Sequence, residues 1–190
     1  MSTTTESAVL EGLLNRASAP RLAEPAPSKE DLETIFRAAA NAPDHGKLRP
    51  WRFIVVGSDA RERFGDLLAE TLKRREPSTA PEWLQREKDK AMRAPTIVVV
   101  AAKVAVGAKI PVIEQVLATA ASAENMILAA HALGYGTMWK TGAQAYDDGF
   151  KQSLGLEPSD QIVGFIYLGT NATGRTLPRD IKLDGVVSYF

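Results

Sequence analysis

The chain contains no cysteine. That excludes disulfides, thiolate metal sites and a cysteine nucleophile. Histidine is nearly as scarce, and His45 and His131 alone are a poor basis for a zinc site. Net charge is missing too. The 23 basic side chains balance 23 acidic ones, so no global field favours nucleic acid or an anionic membrane as a partner. No apolar run approaches the roughly 20 residues needed to span a bilayer. Met1-Ser2-Thr3-Thr4-Thr5-Glu6 lacks the charged and apolar regions of a secretory signal, which leads to the expectation of a cytoplasmic protein. A Gly-x-Gly-x-x-Gly fingerprint for a resident dinucleotide is also absent. The segment 134–141 imitates a phosphate-binding P-loop, but Trp139 stands where the second glycine is required. That glycine lets backbone amides wrap a phosphate, and an indole cannot replace it.

What is present is enough for one domain over residues 1–190, with 45% hydrophobic residues to fill a core. The stretch 117–142 organises the reading. It opens as a helix dense in alanine, reaches Gly134 as a C-terminal stop, and continues as a short strand, Tyr135 to Trp139. That strand delivers Lys140 and Thr141. Two further strands stand out: the continuously apolar 96–102, expected at the centre of a sheet with both faces covered, and 161–170. Helices are expected over 6–15, from Ser28 toward Pro43 with Leu32, Ile35, Phe36 and Ala39 inward, and after a cap at Ser58 or Asp59. Another is expected at 146–154, and an exposed helix near 81–92 inside the charge-dense segment 73–93. A strand is expected at 51–56.

Two loops carry chemistry. Asn15-Arg16-Ala17-Ser18 offers a guanidinium and a hydroxyl, and 42–51 carries His45. Each alone reads equally as a solvated loop. The last five residues, Val186-Val187-Ser188-Tyr189-Phe190, are apolar for a chain end. Ends fray unless held, so this one is expected to dock, by preference on a partner's sheet edge rather than on its own subunit.

Taken in order, Asn15 to Ser18, Ala42 to His45, Arg49 to Phe53, Ala132 to Gly142 and Ile162 to Gly169 resemble the FMN-dependent nitroreductase family, and within it the short YdjA-like branch. The resemblance implies an α+β nitroreductase-like fold. In it a central mixed, largely antiparallel sheet is flanked by helices, and the C-terminal strand is exchanged between the subunits of a homodimer. It implies FMN as cofactor, NADH or NADPH as transient reductant, and a small nitroaromatic, quinone-like or related electrophilic acceptor, reduced in ping-pong order. No protein nucleophile is expected, since the chemistry belongs to the flavin. Arg16, Ala17 and Ser18 match the family's phosphate-binding loop; Trp139, Lys140 and Thr141 match a second group of flavin contacts. Asn41 and His45 match positions that reach the flavin from the opposite subunit. Ala17, Asn41 and Lys140 each replace an arginine of the pattern and remove hydrogen-bond donors. Arg21 lies one residue from the expected cation near the flavin ring, and the Glu-Gly pair of larger members is missing. Two alternatives stay open: a non-catalytic flavin-binding protein, or a family enzyme with other flavin chemistry such as dehalogenation or flavin fragmentation.

Overall fold

Every residue of β3 (Thr96–Ala102) is buried in the computed structural model, which describes residues 7–174 and 182–190. This is the central strand that its unbroken apolar sequence predicts. It pairs with β2 (Trp51–Val56) on one side and with β5 (Gln161–Asn171) on the other. β4 (Gly136–Lys140) takes the opposite edge of β5, and a two-residue β1 (Leu22–Ala23) pairs with its end. All pairings among the described residues are antiparallel, so the largely antiparallel part of the expected sheet is what they contain. β1 is too short for alternation to announce it in the sequence.

Strand alternation divides the side chains between two helical layers. Ile97, Val99, Phe165 and Tyr167 face one core with Phe64, Leu68 and Phe150. Those residues bring in α3 (Arg61–Arg75) and α6 (Asp148–Ser153), with α4 (Pro81–Lys88) packed on α3. The rings of Phe64, Phe150 and Phe165 meet at centroid distances of 6.0–6.3 Å, tilted or edge to face. Val98, Val100, Ile166 and Leu168 face the other core, filled by α2 (Lys29–Ala39) and α5 (Val112–Ala132). The result is the α+β arrangement of helices on both faces of a sheet.

Local chemistry explains most boundaries. Ser28 Oγ accepts from the Asp31 amide at 3.0 Å and starts α2, which ends at Ala39, short of Pro43. The helix α3 corrects one expectation: neither Ser58 nor Asp59 caps it. Residues 57–60 close a turn first, with the Ala60 amide bonded to Gly57 O at 3.0 Å, and the helix begins at Arg61 without a side-chain cap. α6 starts at Asp148, later than the expected Tyr146, because Asp147 caps it and residues 143–146 form a separate 3-10 turn. α5 begins at Val112 directly after Pro111. α1 (Ala8–Asn15) forms where expected, except that Glu6 lies outside the described residues. No residue of α1 is buried. Val186, Val187, Tyr189 and Phe190 are likewise exposed and make no strand pairing on their own chain.

Asp147 also pairs with Arg74, tying α6 to α3. Burial opposes ionisation of this carboxyl, but the Phe150 amide and Arg74 outweigh it and hold its pKa below the ordinary aspartate value. A folded-state pKa below the unfolded one adds stability at neutral pH, and that stability is lost as pH falls below about 4. Asp147→Ala should therefore lower the unfolding free energy at pH 7 by about 1–2 kcal/mol, the usual cost of a lost N-cap. In urea melts the gap from the native protein should narrow as pH drops toward 3. A gap independent of pH would show that the carboxylate charge contributes nothing.

Candidate functional site

The loop after α1 lies against β4 because one residue there has no side chain. A Cβ at Gly136 would stand 2.8 Å from Leu22 Cδ2 and 2.9 Å from Ala19 Cβ. With glycine in place, the Ala19 amide bonds Thr137 O at 2.8 Å, and the chain runs into β1, where the Ala172 amide bonds Arg21 O at 3.1 Å. Residues 15–22 are thereby fixed beside the strand that carries Lys140.

Between them is a hollow of about 460 Å³ bounded by Arg21, Leu22, Arg93, Met138, Lys140 and Tyr167. Three of these are cations, and none of the three forms an ion pair among the described residues. Tyr167 forms part of its floor. The residue is 6% exposed, and its hydroxyl has no hydrogen bond to a described residue. Burial pushes the phenol pKa up, with Arg93 pulling against it and Glu87 adding to it. Arg93 and Tyr167 are missed by sequence reading. Arg93 sits inside the charge-dense segment 73–93, where nothing distinguishes it from its neighbours, and Tyr167 reads as one apolar position of a strong strand.

The expected site residues fall into two groups. Near the hollow, Arg16 is half-buried, with Nε 3.5 Å from Glu124 Oε1 as its one ion pair among the described residues. Ala17 is half-buried and Ser18 exposed. Lys140 reaches the hollow, and Thr141 is exposed just past the strand. Trp139 does not join Lys140, because adjacent strand residues point to opposite faces. Its indole lies over Gly164 and joins the core of α2 and α5. The expected side-chain trio at the end of β4 is thus split.

Asn41 and His45 form the second group, away from the first. Asn41 is exposed past the end of α2. His45 Nδ1 sits 2.5 Å from Glu114 Oε2 in the first turn of α5. Ten residues of helix separate Glu114 from Arg16's partner Glu124, about 15 Å of rise. Within one chain, His45 and Arg16 attend different ends of α5.

A helix-flanked antiparallel sheet, with unpaired cations gathered at one strand end, defines an α+β protein with an anion-receptive site. The chain belongs to the nitroreductase family, whose description matches residues 15–170. It is 38% identical over 161 residues to YdjA of Escherichia coli K12, provisionally named an NAD(P)H nitroreductase, covering 85% of this chain and 87% of that one. A Haemophilus influenzae protein with the same provisional name is 34% identical over 159 residues, 83% and 85% of the two chains. Among solved structures, a nitroreductase-like family protein from Bacillus cereus superposes with a TM-score of 0.83 over 100% of this chain and 99% of its own, at 23% identity. A Desulfovibrio desulfuricans protein of the nitroreductase type, solved in complex with FMN, gives 0.76 over 98% of each chain at 26% identity. Across the described residues, no helix is long and apolar enough to cross a membrane.

The seat of Trp139 gives a direct test of this geometry. A Cβ at residue 164 would stand 2.1 Å from Trp139 Nε1 and 3.0 Å from Lys140 O. Gly164→Ala should destabilise the fold by about 1–3 kcal/mol through overpacking. It should also shift tryptophan emission as the indole is displaced. A variant with native stability and native emission would mean that the indole is seated elsewhere.

Proposed function

We propose that this chain is an FMN-dependent NAD(P)H oxidoreductase that reduces small electrophilic acceptors, nitroaromatic or quinone-like, in ping-pong order. The observation that carries the reading is the convergence of Arg21, Arg93 and Lys140, all without ion-pair partners among the described residues, on one hollow beside Arg16 and Ser18. In a chain of zero net charge, such a cluster favours an anionic ligand locally.

The donor chemistry fits FMN. A phosphate monoester is matched by a guanidinium fork with a neighbouring hydroxyl, which Arg16 and Ser18 supply. The Arg16 Nη groups make no hydrogen bond to a described residue, so they remain available. Met138 and Leu22 provide apolar wall for a ring, and Lys140 and Arg21 provide charge. The chemistry that bound FMN supplies is two-electron hydride transfer, from NADH or NADPH and then to the acceptor. The protein's own part is to hold the phosphate, orient the ring, and leave one ring face open.

The same reading includes a homodimer. On α5, Ile113 and Leu117 are 61% and 59% exposed, one turn apart on the face turned away from the core. Val9, Leu10, Leu13 and Leu14 of α1 add a second exposed apolar face, and the tail adds Val186, Val187, Tyr189 and Phe190. Apolar surface this extensive favours a protein partner. A second copy accounts for it and would bring that copy's Asn41 and His45 to a site they do not reach within their own chain.

Two outcomes test the proposal. Arg16→Ala should weaken FMN binding by about 1.5–3 kcal/mol, the contribution of a hydrogen bond to a charged group, or roughly one to two decades in Kd. Unchanged affinity in a fluorescence titration would move the phosphate away from Arg16. Deleting residues 186–190 should shift the protein toward monomer in sedimentation and weaken FMN binding in parallel, because linked equilibria move together. A truncated chain that stays dimeric and binds FMN normally would remove the tail from the interface.

A further inference from the structure

The floor of the hollow holds an unmet polar group. Tyr167 is 94% removed from solvent, yet its hydroxyl finds no protein acceptor or donor among the described residues. Buried hydroxyls without partners are uncommon, and one facing a cavity is placed to bond whatever fills it. Burial raises its pKa, so at neutral pH it is a proton donor. Arg93 stands beside it on the same wall. Glu87 is the carboxylate that acts on Tyr167, and it is engaged by Lys90, whose Nζ lies 2.7 Å from Glu87 Oε1. With Glu87 neutralised in this way, the field at the phenol is set by Arg93, with Arg21 and Lys140 on the remaining walls.

We propose that Tyr167 and Arg93 grip the electron-accepting ring of the bound flavin, separately from the phosphate grip at Arg16 and Ser18, and thereby favour its negatively charged reduced form. This rests on the proposed FMN site. The argument is electrostatic. A phenol donor beside an unpaired guanidinium in a recessed site stabilises an anion more than a neutral ring. Two-electron reduction leaves an added negative charge on the ring when one proton is taken up rather than two. A group favouring that charge raises the potential of the couple without touching the phosphate. Met138 and Leu22 supply apolar wall for a flat ring, whereas a phosphate would gain nothing from them.

The test uses full-length protein loaded with FMN or with riboflavin, which has the same ring and no phosphate. Tyr167→Phe keeps the ring in the core and removes only the hydroxyl; Arg93→Gln alters an exposed side chain. Each substitution should weaken FMN and riboflavin by the same factor, about fivefold to thirtyfold. Tyr167→Phe should also lower the flavin midpoint potential. A tenfold loss of preference for the reduced form corresponds to about 30 mV for a two-electron couple. If Arg93→Gln weakens FMN but not riboflavin, the hollow holds the phosphate and the proposal is overturned. Native affinity and native potential in Tyr167→Phe overturn it as well, while leaving the FMN site intact. A native protein that retains neither flavin overturns both readings.

Discussion

β3 is buried on both faces and along its whole length, and that constraint settles where nearly everything else lies. A strand with two apolar faces needs two covering layers, and its alternation assigns each residue to one of them. β5 pairs with it in register from Thr96 and Leu168 to Val100 and Gly164, so the two strands send matching side chains to the same layer. β4 inherits that phase from β5. Lys140 lies opposite Phe165 and therefore emerges on the side of α3 and α6, whereas Trp139 lies opposite Ile166 and emerges toward α5. The face on which the site's lysine appears is thus a consequence of core packing two strands away.

The opposite layer is packed differently. α5 buries Ala118, Ala123, Met126, Ile127 and Ala130 against the sheet and α2, yet leaves Ile113 and Leu117 in water. An amphipathic helix of one globular chain would turn charged residues outward. Here the outer face is apolar as well, and the adjacent α1 buries none of its own residues. Such surface costs free energy in an isolated chain, and the proposed second copy removes that cost. The cofactor reading and the dimer reading reinforce each other, because His45 and Asn41 lie far from Arg16 within one chain.

Much of this architecture was legible in the sequence. β3 and β5 announced themselves as unbroken β-branched or aromatic runs, and α2 through its Ser28 cap and inward stripe. The misreadings have local causes. At 57–60 a turn used the backbone that Ser58 or Asp59 would have capped, and at 143–146 a short 3-10 turn displaced the start of α6. Sequence motifs also compress three dimensions into adjacency. Trp139, Lys140 and Thr141 look like a unit on paper, but a pleated strand cannot offer neighbouring side chains to one ligand. Arg93 and Tyr167 show the reverse, being 74 residues apart in sequence and next to each other in space. No periodicity or spacing rule could have joined them, since only the pairing of β3 with β5 brings them together.

Charge is distributed by the same logic. Most ionic side chains whose partners are resolved are paired with near neighbours on exposed helices, as in Arg37 with Glu33 or Lys88 with Asp66. Such pairs contribute little and say nothing of function. The cations that matter are those the fold brings together and leaves unanswered. Arg21 comes from the loop that Gly136 admits, Lys140 from the end of β4, and Arg93 from the turn before β3. Three separate segments converge on one hollow without a carboxylate among them to neutralise the cluster. A net charge of zero for the whole chain therefore coexists with a strongly positive pocket, and the global balance was never informative about the site.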